Sequence, residues 1–227
     1  MSKWYIDKGE QGDIVLSTRI RLARNLDEFP FPSKLDAEGR EKVNSAVKSA
    51  LLCDGSDLSY IDMKILSEIQ AVSLAEKHLI SPEFAARRDG TALLLSSDES
   101  VSIMLCEEDH IRIQVIKAGL ALEQAYAEAD KIDTILDGKL KYAFDERIGY
   151  LTQCPTNLGT AMRASVMLHL PALTRCGQIA RLAGTVSKLG LTIRGAYGEG
   201  SASTGDIYQI SNQITLGITE QAAIENL

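Results

Sequence analysis

The sequence predicts an α+β fold, a largely antiparallel β-sheet flanked by helices. Short apolar runs succeed one another directly at 91–96, 101–106 and 111–116, and Ser97-Asp98-Glu99-Ser100 between the first two is a turn-forming segment. Longer amphipathic stretches are grouped between such runs instead of alternating with them. The regular βαβα order of a doubly wound nucleotide fold is absent.

Taken in order, 14–22 reads as a strand. Leu16, Thr18, Ile20 and Leu22 fall on one face, and Val15, Ser17, Arg19 and Arg21 on the other, so two arginines project side by side. Residues 36–52 read as a helix with Val43, Val47 and Leu51 on its apolar stripe. A second helix is expected over 63–77 on Ile65, Ile69 and Val72. The strongest helical pattern is 121–136, with Leu122, Tyr126, Ala129, Ile132 and Leu136 on one side and Asp137-Gly138 at its end. Strands are expected at 141–144, 163–170, 192–194 and 207–210, and a helix over 177–189 stopped by Gly190. A last amphipathic helix starts near Thr219 and reaches Leu227 with no C-cap, which predicts that a further C-terminal part follows.

The 227 residues suffice for one sizeable core, and 45% hydrophobic with 24% charged residues is ordinary globular composition. Twenty-four basic against 31 acidic residues give a net charge of −7, which argues against a dedicated nucleic-acid binder. No apolar stretch is long enough to cross a bilayer and 1–13 carries no apolar signal core, so a soluble, cytoplasmic protein is expected. Cys53, Cys106, Cys154 and Cys176 have no metal-knuckle or redox-pair spacing, and each is expected to be a reduced, small buried hydrophobe.

No glycine-rich phosphate loop of a known kind is present. If phosphate is bound, side chains must bind it, and the arginines offer the means. Arg112 alternates against Ile111 and Ile113, Arg163 against Met162 and Ala164, and Arg194 against Ile193, in the same sense as Arg19 and Arg21. Five guanidiniums on one sheet face would repel one another unless they met a polyanion, and arginine forks match phosphate oxygens bidentately. Solvated surface arginines are the blander reading for any one of them. Cys106-Glu107-Glu108-Asp109-His110 is the densest acidic cluster. It suits a divalent metal, a general base, a cationic substrate or simply a charged turn. Glu199 lies in a loop bracketed by Gly198 and Gly200, Cys154 opens the turn-like Cys154-Pro155-Thr156-Asn157-Leu158-Gly159-Thr160, and His78 ends a helix where its charge would suit the dipole. A cysteine near arginines is expected to ionise readily.

Four stretches together resemble the ordered motif set of the ATP:guanido phosphotransferases, the family of creatine and arginine kinases. They are Ser17-Thr18-Arg19-Ile20-Arg21, Glu107 through Arg112, Cys154 through Ser165, and Arg194-Gly195 through Glu199. Within the family the chain looks most like the bacterial protein arginine kinases, because it begins almost at the first arginine motif without the small helical domain of the phosphagen kinases. The segments 149–152 and 207–212 resemble that group as well.

The resemblance implies that residues 1–227 are a catalytic domain transferring the γ-phosphate of ATP to arginine in proteins, marking them for Clp protease. It implies that Arg19, Arg21, Arg112, Arg163 and Arg194 grip the ATP phosphates with Mg2+ bridging them. Ser17, Thr18, Ala164, Ser165, Gly195 and Gly198 are further nucleotide-contact candidates. Glu108 would be the base, Glu199 its partner on the substrate guanidinium, and Cys154 a thiolate tuning that group; no residue is assigned as a direct metal ligand. Implied partners are substrate proteins with exposed arginines, a zinc-finger activator, the Clp protease, and a second copy joined through a C-terminal domain. Cys106 stands where the family usually has asparagine, and Tyr197 where many members have arginine. Two alternatives remain: a kinase of free arginine or another small guanidino compound, and a non-catalytic phosphoarginine- or nucleotide-binding module.

Overall fold

The computed structural model describes residues 3–52, 56–195 and 205–227. Strand β1 (Val15–Arg24) is followed by α1 (Ala37–Leu51), β2 (Leu58–Asp62), α2 (Glu68–Glu76), α3 (Pro82–Ala86), β3 (Ala92–Ser96), β4 (Val101–Leu105) and β5 (Ile111–Ala118). Then come α4 (Leu122–Asp137), the short β6 (Phe144–Asp145) and β7 (Gly149–Tyr150), and β8 (Met162–His169). The chain closes with α5 (Pro171–Arg175), α6 (Ile179–Ser187), β9 (Leu191–Gly195), β10 (Ile207–Asn212) and α7 (Glu220–Asn226). Eight strands form one sheet in the order β2-β3-β4-β5-β1-β8-β10-β9, every neighbouring pair antiparallel. The expected fold class is the observed one.

Helix starts follow their caps. Asp36 accepts from the Gly39 N–H, Thr219 from that of Ala222, and Ser67 with Gln70 forms a reciprocal capping box. One face of the sheet carries Ile20, Leu22, Ile111, Ile113, Val115, Met162 and Ala164, all buried against α1, α4 and α7. Val166, Ile210 and Leu191 extend that core under Val186 of α6. On the opposite face, α2 and α3 cover only the β2–β3–β4 end, where Met63, Ala71, Phe84, Leu93 and Met104 pack together. From β5 to β9 that face carries no described helix.

Several expectations are corrected. The 63–77 helix is a single 3₁₀ turn at Met63–Ile65 followed by α2, because the Ser67 capping box fixes the start. Its stripe points the wrong way: Ile65, Ile69 and Val72 are 76%, 82% and 46% exposed, while small Ala71 meets the sheet. A bulge between Val15 and Ser17 reverses the phase at the start of β1, burying Val15 and exposing Leu16. The expected strand at 141–144 is reduced to a bridge from Tyr142 to Leu26 and the two residues of β6. The helix expected over 177–189 is α6 alone, with α5 before it; Gly190 ends the segment at φ +74°. β2 went unpredicted. Cys176 is exposed, Cys106 buried and Cys154 half-buried, all as free thiols, while Cys53 lies outside the described residues. Among the described residues no helix is long and apolar enough to cross a membrane.

Candidate active site

The register puts the five arginines on one face. Arg21 lies opposite Arg163 across the β1–β8 pair, Arg112 lies opposite Ala23 on β5, and Arg19 lies opposite Ser165. Arg194 pairs with Gln209, and Gln209 with Met167 on β8, which is two alternations from Arg163. All five therefore project from the side opposite Ile20 and Ala164.

Their electrostatics are those of crowded, buried like charges. Burial, then the charges of Arg112 and Arg163, pulls Arg19 from the ordinary 12.5 down to about 10. Burial, then Arg19, Arg112 and Arg163, pulls Arg21 well down too, and its buried Nε finds no acceptor among the described residues. Arg19 Nη2 donates to Gln209 Oε1 at 2.6 Å, which aims it along the face.

The β4–β5 turn supplies the acidic side. Arg112 links it to the arginine face, with Nη1 at 2.6 Å from Glu107 Oε2 and Nη2 at 2.9 Å from Glu108 Oε2. Glu107 also accepts from Ser81 Oγ at 2.6 Å. Glu108 is the acid of this turn that reaches solvent, its side chain 38% exposed. Burial pushes its carboxyl up, against the pull of Arg112. Asp109 and His110 do structural work. Fully buried Asp109 accepts from Asn25 Nδ2 at 2.7 Å and from the Gln153 N–H at 2.8 Å. His110 Nδ1 accepts from the Leu26 N–H at 3.0 Å, so its Nε2 carries the proton it donates to the Pro30 carbonyl at 2.9 Å. The turn begins at Cys106 with φ 58°, a left-handed backbone that suits asparagine better than cysteine, closed by the Cys106 N–H to His110 O bond of 2.9 Å. The Cys106 thiol is pushed by burial to about 12 and is inert.

Asp109 thus ties the Glu108 turn to the loop that holds Cys154. There Cys154 Sγ lies 3.0 Å from Thr156 Oγ1, and Thr215 Oγ1 donates to the Thr156 and Leu158 carbonyls at 3.0 and 2.7 Å. Gly159 holds φ +103°, and a Cβ there would overlap the Thr215 carbonyl oxygen. Behind the loop, buried Arg24 forks onto Asp133 at 2.7–3.1 Å and lies 3.5 Å from the Tyr150 ring centroid.

Not every candidate faces the site. Ser17 and Ser165 do. Thr18 is buried on the other face, donating from Oγ1 to Gly119 O at 2.6 Å and accepting from the Ala121 N–H, which fixes the start of α4. Ala164 is buried in the core. Gly195 ends β9, and Gly198 and Glu199 lie outside the described residues. His78 is no dipole-stabilised cation; burial and the charge of Arg19 hold its imidazole neutral, at about 4. Sequence reasoning passed over Trp4 and Gln209, which with His78 border a small cavity beside Arg19, and over the Asp109–Gln153 clamp. Among the described residues no three His, Cys, Asp or Glu side chains are grouped to hold a metal ion.

Fold and site together define an antiparallel-sheet protein with an arginine-lined sheet face beside an acidic turn. The family model of the ATP:guanido phosphotransferase C-terminal catalytic domain matches residues 39–227. The chain belongs to that family. The protein-arginine kinase of Halothermothrix orenii is 50% identical over 228 residues, taking in 100% of this chain and 65% of its own length. That of Clostridium acetobutylicum is 48% identical over 231 residues, covering 100% of this chain and 68% of its own length. The chain thus spans about two thirds of the length of these relatives. Among solved structures, the duplicated taurocyamine kinase from Schistosoma mansoni with bound transition state analog components matches with a TM-score of 0.83, at 30% identity, over 95% of this chain and 31% of that one. Lombricine kinase has the same fold, with a TM-score of 0.82 over 95% of this chain and 63% of its own, at 24% identity.

Proposed function

We propose that this chain is the catalytic domain of a protein arginine kinase, moving the γ-phosphate of ATP onto arginine side chains of proteins. The observation that carries the reading is the in-phase set of Arg19, Arg21, Arg112, Arg163 and Arg194 meeting Glu108 at one end. The 50% identity to a relative named protein-arginine kinase supports the polypeptide substrate.

In this reading the guanidiniums hold the triphosphate and stabilise charge on the transferring group. The donor set fits a magnesium–nucleotide: among the described residues no three His, Cys, Asp or Glu side chains are grouped to hold the ion, and Glu107 and Asp109 Oδ1 are engaged by protein partners, so the metal would be carried by the phosphates. When bound, magnesium supplies charge neutralisation on them. Phosphate oxygens compete for Arg112 and free Glu108 from its ion pair. Glu108 then takes a proton from the substrate guanidinium, which is a poor nucleophile while protonated, its pKa lying above about 12. Its raised proton affinity suits a base. Glu199 is its partner on the guanidinium, and Cys154, held in reach by the Asp109–Gln153 bond, tunes that group without bonding to it. Alignment supplies much of the remainder. The reaction belongs in the cytoplasm, where ATP is available; a zinc-finger activator, the Clp protease and a second copy of the chain are its family-implied partners.

The test incubates the chain with magnesium-ATP and an arginine-rich unstructured protein, with free arginine in parallel and Glu108→Gln as control. Acid-labile phosphate on protein arginine, lost in the variant, is the expected result. Phosphate on free arginine alone would move the assignment to a metabolite kinase, and no transfer would leave a binding module.

A further inference from the structure

Trp4 is the chain's one tryptophan, and it sits against the arginine face. Residues around it are strapped to the β3–β4 turn through Glu99, which meets Lys3 Nζ at 2.7 Å and accepts from Tyr5 OH at 3.0 Å. The indole closes a cavity bordered by Ser17, Arg19, His78, Met167 and Gln209, whose free space is about 10 Å³, room for one water-sized body. Its buried Nε1–H finds no acceptor among the described residues, a costly state for a donor.

The position matters more than the cavity. Arg112 pairs with Ala23, and Arg19 lies four residues back along β1, about 13 Å at a strand's rise of about 3.3 Å per residue. A nucleotide whose terminal phosphate lies at the Glu108 end therefore extends past Arg19, toward Trp4. The cavity is too small for a ring system while the indole walls it, so entry requires the indole to turn outward, where its N–H can reach water.

We propose that Trp4 is a base-contacting residue of this cleft: a heteroaromatic base arriving beyond Arg19 displaces the indole from the cavity and takes it as a stacking partner. Bare polyphosphate, ending at Arg19, leaves Trp4 in place. This rests on the reading of the arginine face as a nucleotide site.

The test uses the intrinsic emission of Trp4, with magnesium-ADP and magnesium-tripolyphosphate as probes and thermal midpoints in parallel. Both ligands are expected to raise the midpoint, and only magnesium-ADP to shift the emission, saturably. Trp4→Ala is expected to weaken magnesium-ADP about tenfold, the loss of one stacked base, with tripolyphosphate affinity unchanged. Trp4→Phe keeps a stacking face and most of the affinity, which guards against a folding defect in the alanine variant. Protection by magnesium-ADP with no change in emission, and unchanged affinity in Trp4→Ala, would overturn the proposal while leaving the arginine reading intact. An equal shift with tripolyphosphate would also overturn it. Protection by neither ligand would remove the nucleotide reading and this one with it.

Discussion

Replacing Arg19 by methionine should make the ligand-free protein more stable and its phosphate site weaker. Burial and like charge hold Arg19 at about 10 instead of 12.5, which at about 1.4 kcal/mol per tenfold is a penalty of at most about 3.5 kcal/mol on the charged form. Because the folded value is the lower one, the penalty is fully present at neutral pH and is relieved only as pH rises through about 10 toward 12.5. Methionine removes it but also loses the bond to Gln209 Oε1, worth about 1 kcal/mol. The net expectation is a gain of about 1–2 kcal/mol in urea unfolding without ligand. With magnesium-ATP at about 100 times its dissociation constant, the wild type gains about 2.7 kcal/mol. Losing one charged hydrogen-bond donor costs about 2 kcal/mol of binding, roughly 30-fold, and reduces that protection to about 0.9 kcal/mol. A ligand-free variant less stable than wild type would refute the repulsion argument. Equal protection of both proteins would refute the phosphate role.

Glu108 should set the acid limb of kcat/KM above the usual carboxylate range, because burial raises its proton affinity; a pH–rate profile with the limb at ordinary carboxylate pH would count against it. A raised folded value means that stability present below the unfolded pKa is lost as pH rises through the folded one, so Glu108→Gln should be inactive yet no less stable at pH 7. Breaking the buried Arg24–Asp133 pair from either side should cost about 3–5 kcal/mol in urea unfolding, and Arg24→Met with Asp133→Leu should recover most of it; additive losses would show that the two are uncoupled. Gly159→Ala, at φ +103° against the Thr215 carbonyl, should destabilise by at least about 1–3 kcal/mol and expose the Cys154 loop to limited proteolysis.

The phase of the five arginines was legible because a strand's period of two is strict, so residues on separate strands can be compared once each strand's core side is known. The same rule failed at Val15 and Leu16, where a bulge inserts a residue. Helical spacing misled at Ile65, Ile69 and Val72, because a stripe records only which residues share a side, and not whether the sheet lies on that side. The organisation of the acidic turn lay beyond local pattern altogether. Asp109 differs from Glu108 in role because of Asn25 and Gln153, 84 and 44 positions away, and Trp4 meets Arg19 only once the sheet has closed.

The place of β1 also governs when the site can come into being. It pairs with β5 and β8, so Arg19 waits for Ile116 and Ser165, roughly a hundred and a hundred and fifty residues later in the chain. Contacts of such separation form slowly and only after large loops are closed. On the ribosome the first strand stays unpaired until β5 has emerged and keeps one open edge until β8 follows, which leaves a half-apolar ribbon exposed to misassociation during synthesis. Once zipped on both sides it lies in the interior of the sheet. Its amides should then be among the slowest to exchange with solvent, and the arginines it carries inherit that rigidity.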